Sequence, residues 1–141
     1  NRIDKKEGVI ACFEELIMDL LKSKNAKNWF RAYFNFGLIN YIKGNNRLLP
    51  CEAGTENFFL DPYAQIMPCN GMEESIWFES MGNLKEKSFE EIWQGEKARQ
   101  IREKVRNCPK NCWMIGTAAP VMKKYILKPL LWILKSKIGI K

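Results

Sequence analysis

The alternation of apolar and polar residues predicts helices in the first third of the chain. Residues 8–23 place their apolar side chains on one stripe and their charged side chains opposite, as in an amphipathic helix that packs on one side. Asn25 can cap a second helix that continues to about Ile42. This helix is apolar nearly all round, so we expect its many aromatic residues to pack in a core rather than to line a binding groove. The Gly and Asn residues within 43–47 then end the helix.

The middle of the chain has the pattern of a β-hairpin with further short elements behind it. Residues 57–60 and 65–69 are predicted strands, and the turn Asp61-Pro62-Tyr63-Ala64 joins them. Asn70-Gly71 predicts a second turn, and residues 75–79 predict a third strand. Residues 81–84 are expected to form a loop.

A helix is predicted after this loop. Ser88 and Glu91 have the spacing of a capping box at its start, and Gly95 is expected to bend or break it before it reaches Cys108. The predicted fold class is therefore α+β, with a β-hairpin or small three-stranded sheet flanked by helices.

The last segment, residues 120–141, alternates apolar residues with lysines, and Pro129 is expected to kink its helix or to start the helix afresh. The apolar runs are too short and too often interrupted by lysine to cross a bilayer. Two interpretations remain: the helix docks on the domain, or it lies in a membrane interface with its lysines towards the headgroups. We expect internal docking.

Charge and composition narrow the possible functions. The net charge of +7 is concentrated after residue 120, which either makes a solvated basic tail or favours contact with lipid headgroups or nucleic acid. The chain has no histidine, which excludes Ser-His-Asp and Cys-His catalysis and any metal site with imidazole ligands. The chain has five cysteines, an odd number, and no secretory signal precedes them. We therefore expect the thiols to bind a metal in the reducing cytoplasm rather than to form disulfides.

Four of the cysteines form a candidate metal site. Cys51 leads into the hairpin and Cys69 lies at its exit, whereas Cys108 and Cys112 have the spacing of one helical turn. Pro109 suits the first position of that turn, which would place Cys108 at its cap. Sulfur-only ligation leaves zinc or an iron-sulfur cluster, and the scattered spacing favours the cluster slightly because zinc knuckles use Cys-x2-Cys pairs. Cys12, which has no second cysteine near it, is interpreted as a small apolar residue.

Several motifs in the same order resemble the SPASM or twitch region of radical S-adenosylmethionine enzymes. The resemblance runs from about residue 48 to 118 and rests on Cys51, Asp61-Pro62-Tyr63, Pro68-Cys69, Met81-Gly82-Asn83-Leu84, Ser88-Phe89-Glu90-Glu91-Ile92-Trp93, Arg99, and Cys108 with Cys112-Trp113. It implies that Cys51, Cys69, Cys108 and Cys112 ligate one auxiliary 4Fe-4S cluster. Trp113 would then either shield the cluster or belong to the core. Ala64 stands where the family has glycine, which costs about 1 kcal/mol if the backbone is left-handed there.

The resemblance also implies a division of the chain and a list of partners. Residues 1–47 are similar to the last helices of a radical S-adenosylmethionine partial barrel, 48–118 would be the cluster domain, and 119–141 a basic amphipathic helix. The Cys-x3-Cys-x2-Cys motif that holds the S-adenosylmethionine-cleaving 4Fe-4S cluster is absent. Since the first residue is Asn rather than Met, we expect that barrel in a missing N-terminal part, and this segment alone is not a complete enzyme.

The implied function is electron transfer and active-site closure in an oxidoreductase or maturase. The expected partners are that barrel, a small-molecule or peptide substrate, an electron donor or acceptor protein and, through residues 120–141, a membrane surface. The competing hypothesis is a non-catalytic module stabilised by zinc, whose basic tail contacts a membrane or nucleic acid.

Overall fold

The computed structural model describes residues 5–69 and 79–139. In these ranges it contains six helices and a small three-stranded antiparallel sheet that is not closed into a barrel. The predicted α+β class is therefore confirmed. The chain divides into two compact units, one made of Asn1–Leu49 with Asn111–Lys141 and the other of Pro50–Lys110.

The first unit contains the helices of both ends of the chain. Helix α1 is Lys6–Lys22, α2 is Ala26–Ile42, α5 is Ile115–Lys124 and α6 is Leu127–Gly139. Helices α1 and α2 agree with the two helices predicted in the first third of the chain. The residues expected to cap and to end α2 do so in the structure. The Asn25 side chain accepts a hydrogen bond from the Lys27 amide, and Gly44 adopts the left-handed backbone, with φ of 76°, just after α2 ends.

Two clusters of buried side chains form the core of this unit, and α2 contributes to both of them. The first cluster joins α1, α2 and α6 through Ile17, Leu21, Ala32, Ile39 and Ile133. The second joins α2 to α5 and the segments beside them through Tyr33, Leu49, Trp113, Ala118, Val121 and Met122. Core packing is thus confirmed for Tyr33, and Trp29 and Phe36 pack beside the clusters, whereas Tyr41 is exposed.

The C-terminal segment forms two helices, and the boundary between them differs from the prediction. Helix α5 begins at Ile115 and contains Pro120, and the break falls at residues 125–126, ahead of Pro129. Pro129 is accommodated within the first turn of α6, where its missing amide has no intrahelical partner to lose. Among the helices of residues 5–69 and 79–139, none combines the length and apolarity needed to cross a bilayer.

One face of α6 docks on the first two helices. Ile133 and Pro129 are buried on this face. Lys137 donates a hydrogen bond from Nζ to the Leu21 carbonyl at 2.6 Å, and the same nitrogen lies 4.1 Å from the centre of the Trp29 ring. Internal docking is therefore confirmed for this face.

The second unit is built on the sheet. Strand β1 is Phe59–Leu60, β2 is Gln65–Met67 and β3 is Gly82–Asn83, in the order β1-β2-β3 with both pairs antiparallel. The hairpin was predicted correctly, although its strands are shorter than expected. The loop predicted at 81–84 is wrong, because residues 82–83 pair with β2. The predicted turn at 70–71 and the third strand at 75–79, apart from Glu79, lie outside the described residues.

Two helices complete the second unit. Helix α3 is Phe89–Gln94 and α4 is Glu96–Arg106. The capping box is present as predicted, with the Ser88 hydroxyl accepting from the Glu91 amide and the Glu91 carboxylate accepting from the Ser88 amide. Gly95 is extended, with ψ of 161°, and breaks the helix. The buried core of the unit consists of Ala53, Ile66, Met81, Ile92, Ala98, Ile101 and Val105.

Candidate iron-sulfur centre

Cys51 is half-buried at the start of a tight turn. The Gly54 amide donates to the Asn57 carbonyl at 2.7 Å, which closes the turn. Gly54 has a positive φ of 77°, and a Cβ atom at this position would lie 2.5 Å from Cε of Met81. Glycine adopts this backbone conformation without strain, and any larger residue would also require the end of the Met81 side chain to move.

Arg102 of α4 holds this turn against the helices. Its Nε donates to the Gly54 carbonyl and its Nη2 to the Trp93 carbonyl, each at 2.7 Å. The guanidinium also lies 4.5 Å from the centre of the Trp93 ring. Partial burial lowers the pKa of Arg102 from its ordinary value. The guanidinium stays charged at neutral pH, and its hydrogen bonds to the two carbonyl oxygens offset the cost of removing it from water.

Cys69 follows the second strand of the hairpin. Asp61 organises the hairpin turn, because its Oδ1 accepts from the Tyr63 and Gln65 amides at 2.9 and 2.8 Å. Ala64 adopts the left-handed conformation, with φ of 67°, which is the condition under which a cost of about 1 kcal/mol is expected at this position. Cys69 is half-buried and packs against the same core cluster as Cys51. The hairpin thus places the two cysteines on one apolar core.

Cys108 lies just beyond the end of α4 in the same unit. Helix α4 ends at Arg106, and the Cys108 amide donates to the carbonyl of Val105, a core residue, at 3.1 Å. The prediction that this helix delivers Cys108 is confirmed. The prediction of a helical turn that begins at Pro109 is wrong, because residues 108–114 are not helical and the next helix begins at Ile115.

Cys112 belongs to the first unit, where both of its neighbours are anchored. The Asn111 side-chain amide donates to the carbonyls of Asn45 at 3.1 Å and Tyr41 at 3.4 Å. The Trp113 indole is buried, stacks on Phe34 with ring centres 6.3 Å apart, and donates from Nε1 to the Phe34 carbonyl at 2.9 Å. Of the two interpretations of Trp113, the core residue is the one that the structure supports.

The five cysteines have different surroundings. Cys12 is exposed on α1, whereas Cys51, Cys69, Cys108 and Cys112 are all half-buried, and none of the five is in a disulfide. Within residues 5–69 and 79–139, the structure does not gather three or more Cys, Asp, Glu or His side chains into a group that could hold a metal ion. Within the second unit, the structure brings Cys51 and Cys69 to one core and Cys108 to the end of a helix on that core, whereas Cys112 belongs to the first unit.

The donor chemistry of these four side chains fits an iron-sulfur cluster. Thiolates are the ligands of such clusters, and the absence of histidine removes the mixed nitrogen and sulfur sites that zinc also accepts. An apolar core beside Cys51 and Cys69 is a setting that limits the access of solvent to a metal centre.

The comparison with protein families finds a match over the central segment. Residues 51–114 match the family model of SPASM, an iron-sulfur cluster-binding domain. The match begins at Cys51 and contains all four half-buried cysteines, and it confirms the resemblance to a SPASM or twitch region. This domain indicates iron-sulfur cluster binding. No curated protein and no solved structure matches the chain significantly.

Two positioning residues were missed by the sequence analysis. Gly54 and Arg102 fix the turn after Cys51, yet neither was singled out. A signal for Arg102 was available, because it shares the buried stripe of α4 with Ala98, Ile101 and Val105 at helical spacing. A cation on the apolar face of a helix indicates that it has hydrogen-bond acceptors there.

Proposed function

We propose that this chain is the C-terminal auxiliary-cluster part of a radical S-adenosylmethionine oxidoreductase or maturase. The observation that carries the proposal is the SPASM match at residues 51–114, which includes four half-buried cysteines and excludes the exposed Cys12. In this proposal Cys51, Cys69, Cys108 and Cys112 are the ligands of one 4Fe-4S cluster.

The residues around the ligands have distinct tasks in this proposal. The Arg102 hydrogen bonds hold the Cys51 turn, and the Asp61 turn fixes the hairpin that ends at Cys69. Asn111 and Trp113 restrict the backbone on both sides of Cys112. When bound, the cluster supplies a centre that takes up and releases one electron at a time. Because four thiolates saturate the four irons, the proposed role is electron transfer rather than direct binding of substrate to iron.

The radical chemistry itself requires a second component. The sequence has no Cys-x3-Cys-x2-Cys motif for the cluster that cleaves S-adenosylmethionine, so a radical S-adenosylmethionine barrel would supply it. In this proposal, the cluster domain closes one side of the barrel's active site. It also exchanges electrons with a substrate radical and with a redox partner. The substrate class proposed is a small molecule or a peptide.

Metal analysis after anaerobic reconstitution tests the cluster proposal. The chain is incubated with iron and sulfide in one sample and with zinc in another, and iron, acid-labile sulfide and zinc are counted after desalting. We expect about four irons and about four sulfides per chain, with broad visible absorbance that reduction bleaches. A colourless product that retains zinc and no sulfide would support the zinc module instead.

A further inference from the structure

Helix α6 has a second apolar face that points away from the core. Leu127, Leu131, Leu134 and Ile138 are 71, 59, 57 and 72% exposed. Their spacing of four, three and four residues puts them on one stripe of the helix. The docked residues Pro129 and Ile133 are on the opposite side and are buried. A helix that is apolar on two faces needs two apolar partners, and the described residues supply only one of them.

The charges beside this outer stripe are all positive. Lys128 and Lys135 are exposed and lie along one edge of the stripe. Lys137, in contrast, points towards the core, where it contacts the Leu21 carbonyl and the Trp29 ring. No Asp or Glu occurs in residues 104–141. The outer stripe therefore combines exposed aliphatic side chains with cations, without a carboxylate of its own segment to neutralise them.

A groove next to the start of α6 repeats the same combination. Its volume is about 390 Å³, and its apolar lining comes from Phe30, Phe34, Ile115, Ala119, Met122 and Ile126. Ile126 immediately precedes Leu127, the first residue of the outer stripe, so the two apolar surfaces adjoin. Three exposed cations, Lys27, Arg31 and Lys123, also line the groove, and no carboxylate does.

We propose that the first unit binds the surface of an anionic phospholipid bilayer through the outer stripe of α6. The aliphatic side chains enter the boundary between headgroups and acyl chains, while Lys128 and Lys135 contact the phosphates. The positive charges beside the apolar stripe favour a bilayer surface over the other possible binding partners. A second copy on the same stripe would bring lysines against lysines, and a nucleic acid would use the lysines but leave the four aliphatic side chains in water.

This surface is independent of the proposed cluster, because α6 lies outside the segment 51–114. Binding is measured with the full chain by flotation with vesicles of phosphatidylcholine alone and of phosphatidylcholine mixed with phosphatidylglycerol. We expect binding to the mixed vesicles only, and weaker binding as salt is raised.

Two pairs of substitutions separate the apolar and the charged contributions. Leu131→Gln with Leu134→Gln is expected to abolish flotation. Lys128→Gln with Lys135→Gln is expected to weaken the binding constant about 25-fold, which is about fivefold for each lysine at an anionic surface. The matched controls lie on α1 and at its N-terminal cap. Leu16→Gln with Met18→Gln replaces two exposed apolar residues, and Lys5→Gln with Lys6→Gln removes the same charge as the α6 lysine pair.

The controls should float like the unsubstituted chain, and circular dichroism verifies that every variant remains folded. Equal loss in the α6 and α1 variants would overturn the proposal, as would the absence of binding to mixed vesicles. A concentration-dependent dimer that the two leucine substitutions abolish would instead assign the outer stripe to a second copy. Binding to DNA that depends on the lysines, without flotation, would assign it to nucleic acid.

Discussion

Replacing Gly37 by alanine is the sharpest test of how the first unit is packed. Gly37 is a buried residue in the interior of α2, where intrinsic helix propensity alone favours alanine over glycine by about 1 kcal/mol. The structure predicts the opposite sign. A Cβ atom on Gly37 would lie 2.0 Å from Cε2 and 2.1 Å from Nε1 of Trp113, distances at which the indole has to move.

The cost of moving this indole follows from its contacts. Trp113 is 4% exposed and is held by a hydrogen bond from Nε1 to the Phe34 carbonyl. Overpacking a core costs about 1–3 kcal/mol, and loss of the hydrogen bond costs about 0.5–1.5 kcal/mol more. After subtraction of the helix-propensity gain, we expect Gly37→Ala to lower the free energy of unfolding by about 1–3 kcal/mol.

The assay is urea unfolding of the metal-free chain followed by far-ultraviolet circular dichroism. The matched control is Gly8→Ala in the first turn of α1, where an added Cβ meets no atom within 4 Å. We expect this control to leave stability unchanged or to raise it by up to about 1 kcal/mol. A Gly37→Ala variant that is as stable as the parent chain, or more stable, would refute the proposed packing of Trp113 on α2.

Three further substitutions test the second unit, and in all three the free energy of unfolding is measured by urea titration. Ala64→Gly should stabilise the chain by about 0.5–1 kcal/mol. It relieves about 1–2 kcal/mol of strain in the left-handed backbone at φ of 67°, and the greater flexibility of glycine in the unfolded chain opposes this gain by about 0.4–1 kcal/mol. A loss of stability would contradict the proposed strain. Ser88→Ala should cost about 1 kcal/mol through loss of the helix cap, and an unchanged stability would contradict the cap. Hydrogen bonds from the Ser88 side chain and backbone lower the pKa of Glu91 below its ordinary value of 4.5. The Glu91 carboxylate should therefore stabilise the fold fully above pH 4.5, and this stabilisation should disappear as the pH falls through the lowered pKa of the folded state. The stability difference between the parent chain and Glu91→Gln should therefore fade in acid, and a difference that grows in acid would contradict the sign.

The parts of the fold that could be predicted depend on short-range signals. The Asn25 cap, the turn at Asp61-Pro62-Tyr63-Ala64 and the Ser88 capping box each act within four residues of themselves, and the structure contains all three. Gly95 likewise breaks the helix where its sequence position indicates. These elements are determined locally, so periodicity and capping residues were sufficient to find them.

The errors lie where contacts from far along the chain decide the conformation. Pro109 is a local signal for a helix start, but the next side chains bind far back in the sequence. Asn111 donates to Asn45, just after α2 and 66 residues away, and Trp113 donates to Phe34 in the middle of α2, 79 residues away. We infer that these contacts keep residues 111–113 out of a helix. The third strand also depends on a distant contact. Gly82 lies so close to Ile92 of α3 that a Cβ atom on it would be 2.9 Å from Cγ1, and the sequence of a two-residue strand does not indicate this constraint.

The candidate site was predictable in its residue types and less so in its geometry. The four cysteines and the family resemblance were available from the sequence, and the SPASM match confirms the resemblance. The positions of Gly54 and Arg102 required the structure, because their contact joins residues 48 apart in the chain. The assignment of Cys51, Cys69, Cys108 and Cys112 as the complete ligand set stays a prediction.

The central claim is that these four cysteines, and not Cys12, hold one cluster. The most direct measurement is the iron and sulfide content of five single Cys→Ser variants, reconstituted in parallel under anaerobic conditions. We expect substitution of Cys51, Cys69, Cys108 or Cys112 to lower the content well below the about four irons of the parent chain, and Cys12→Ser to retain it. Full iron and sulfide content in any of the four variants, or a loss confined to Cys12→Ser, would contradict the account.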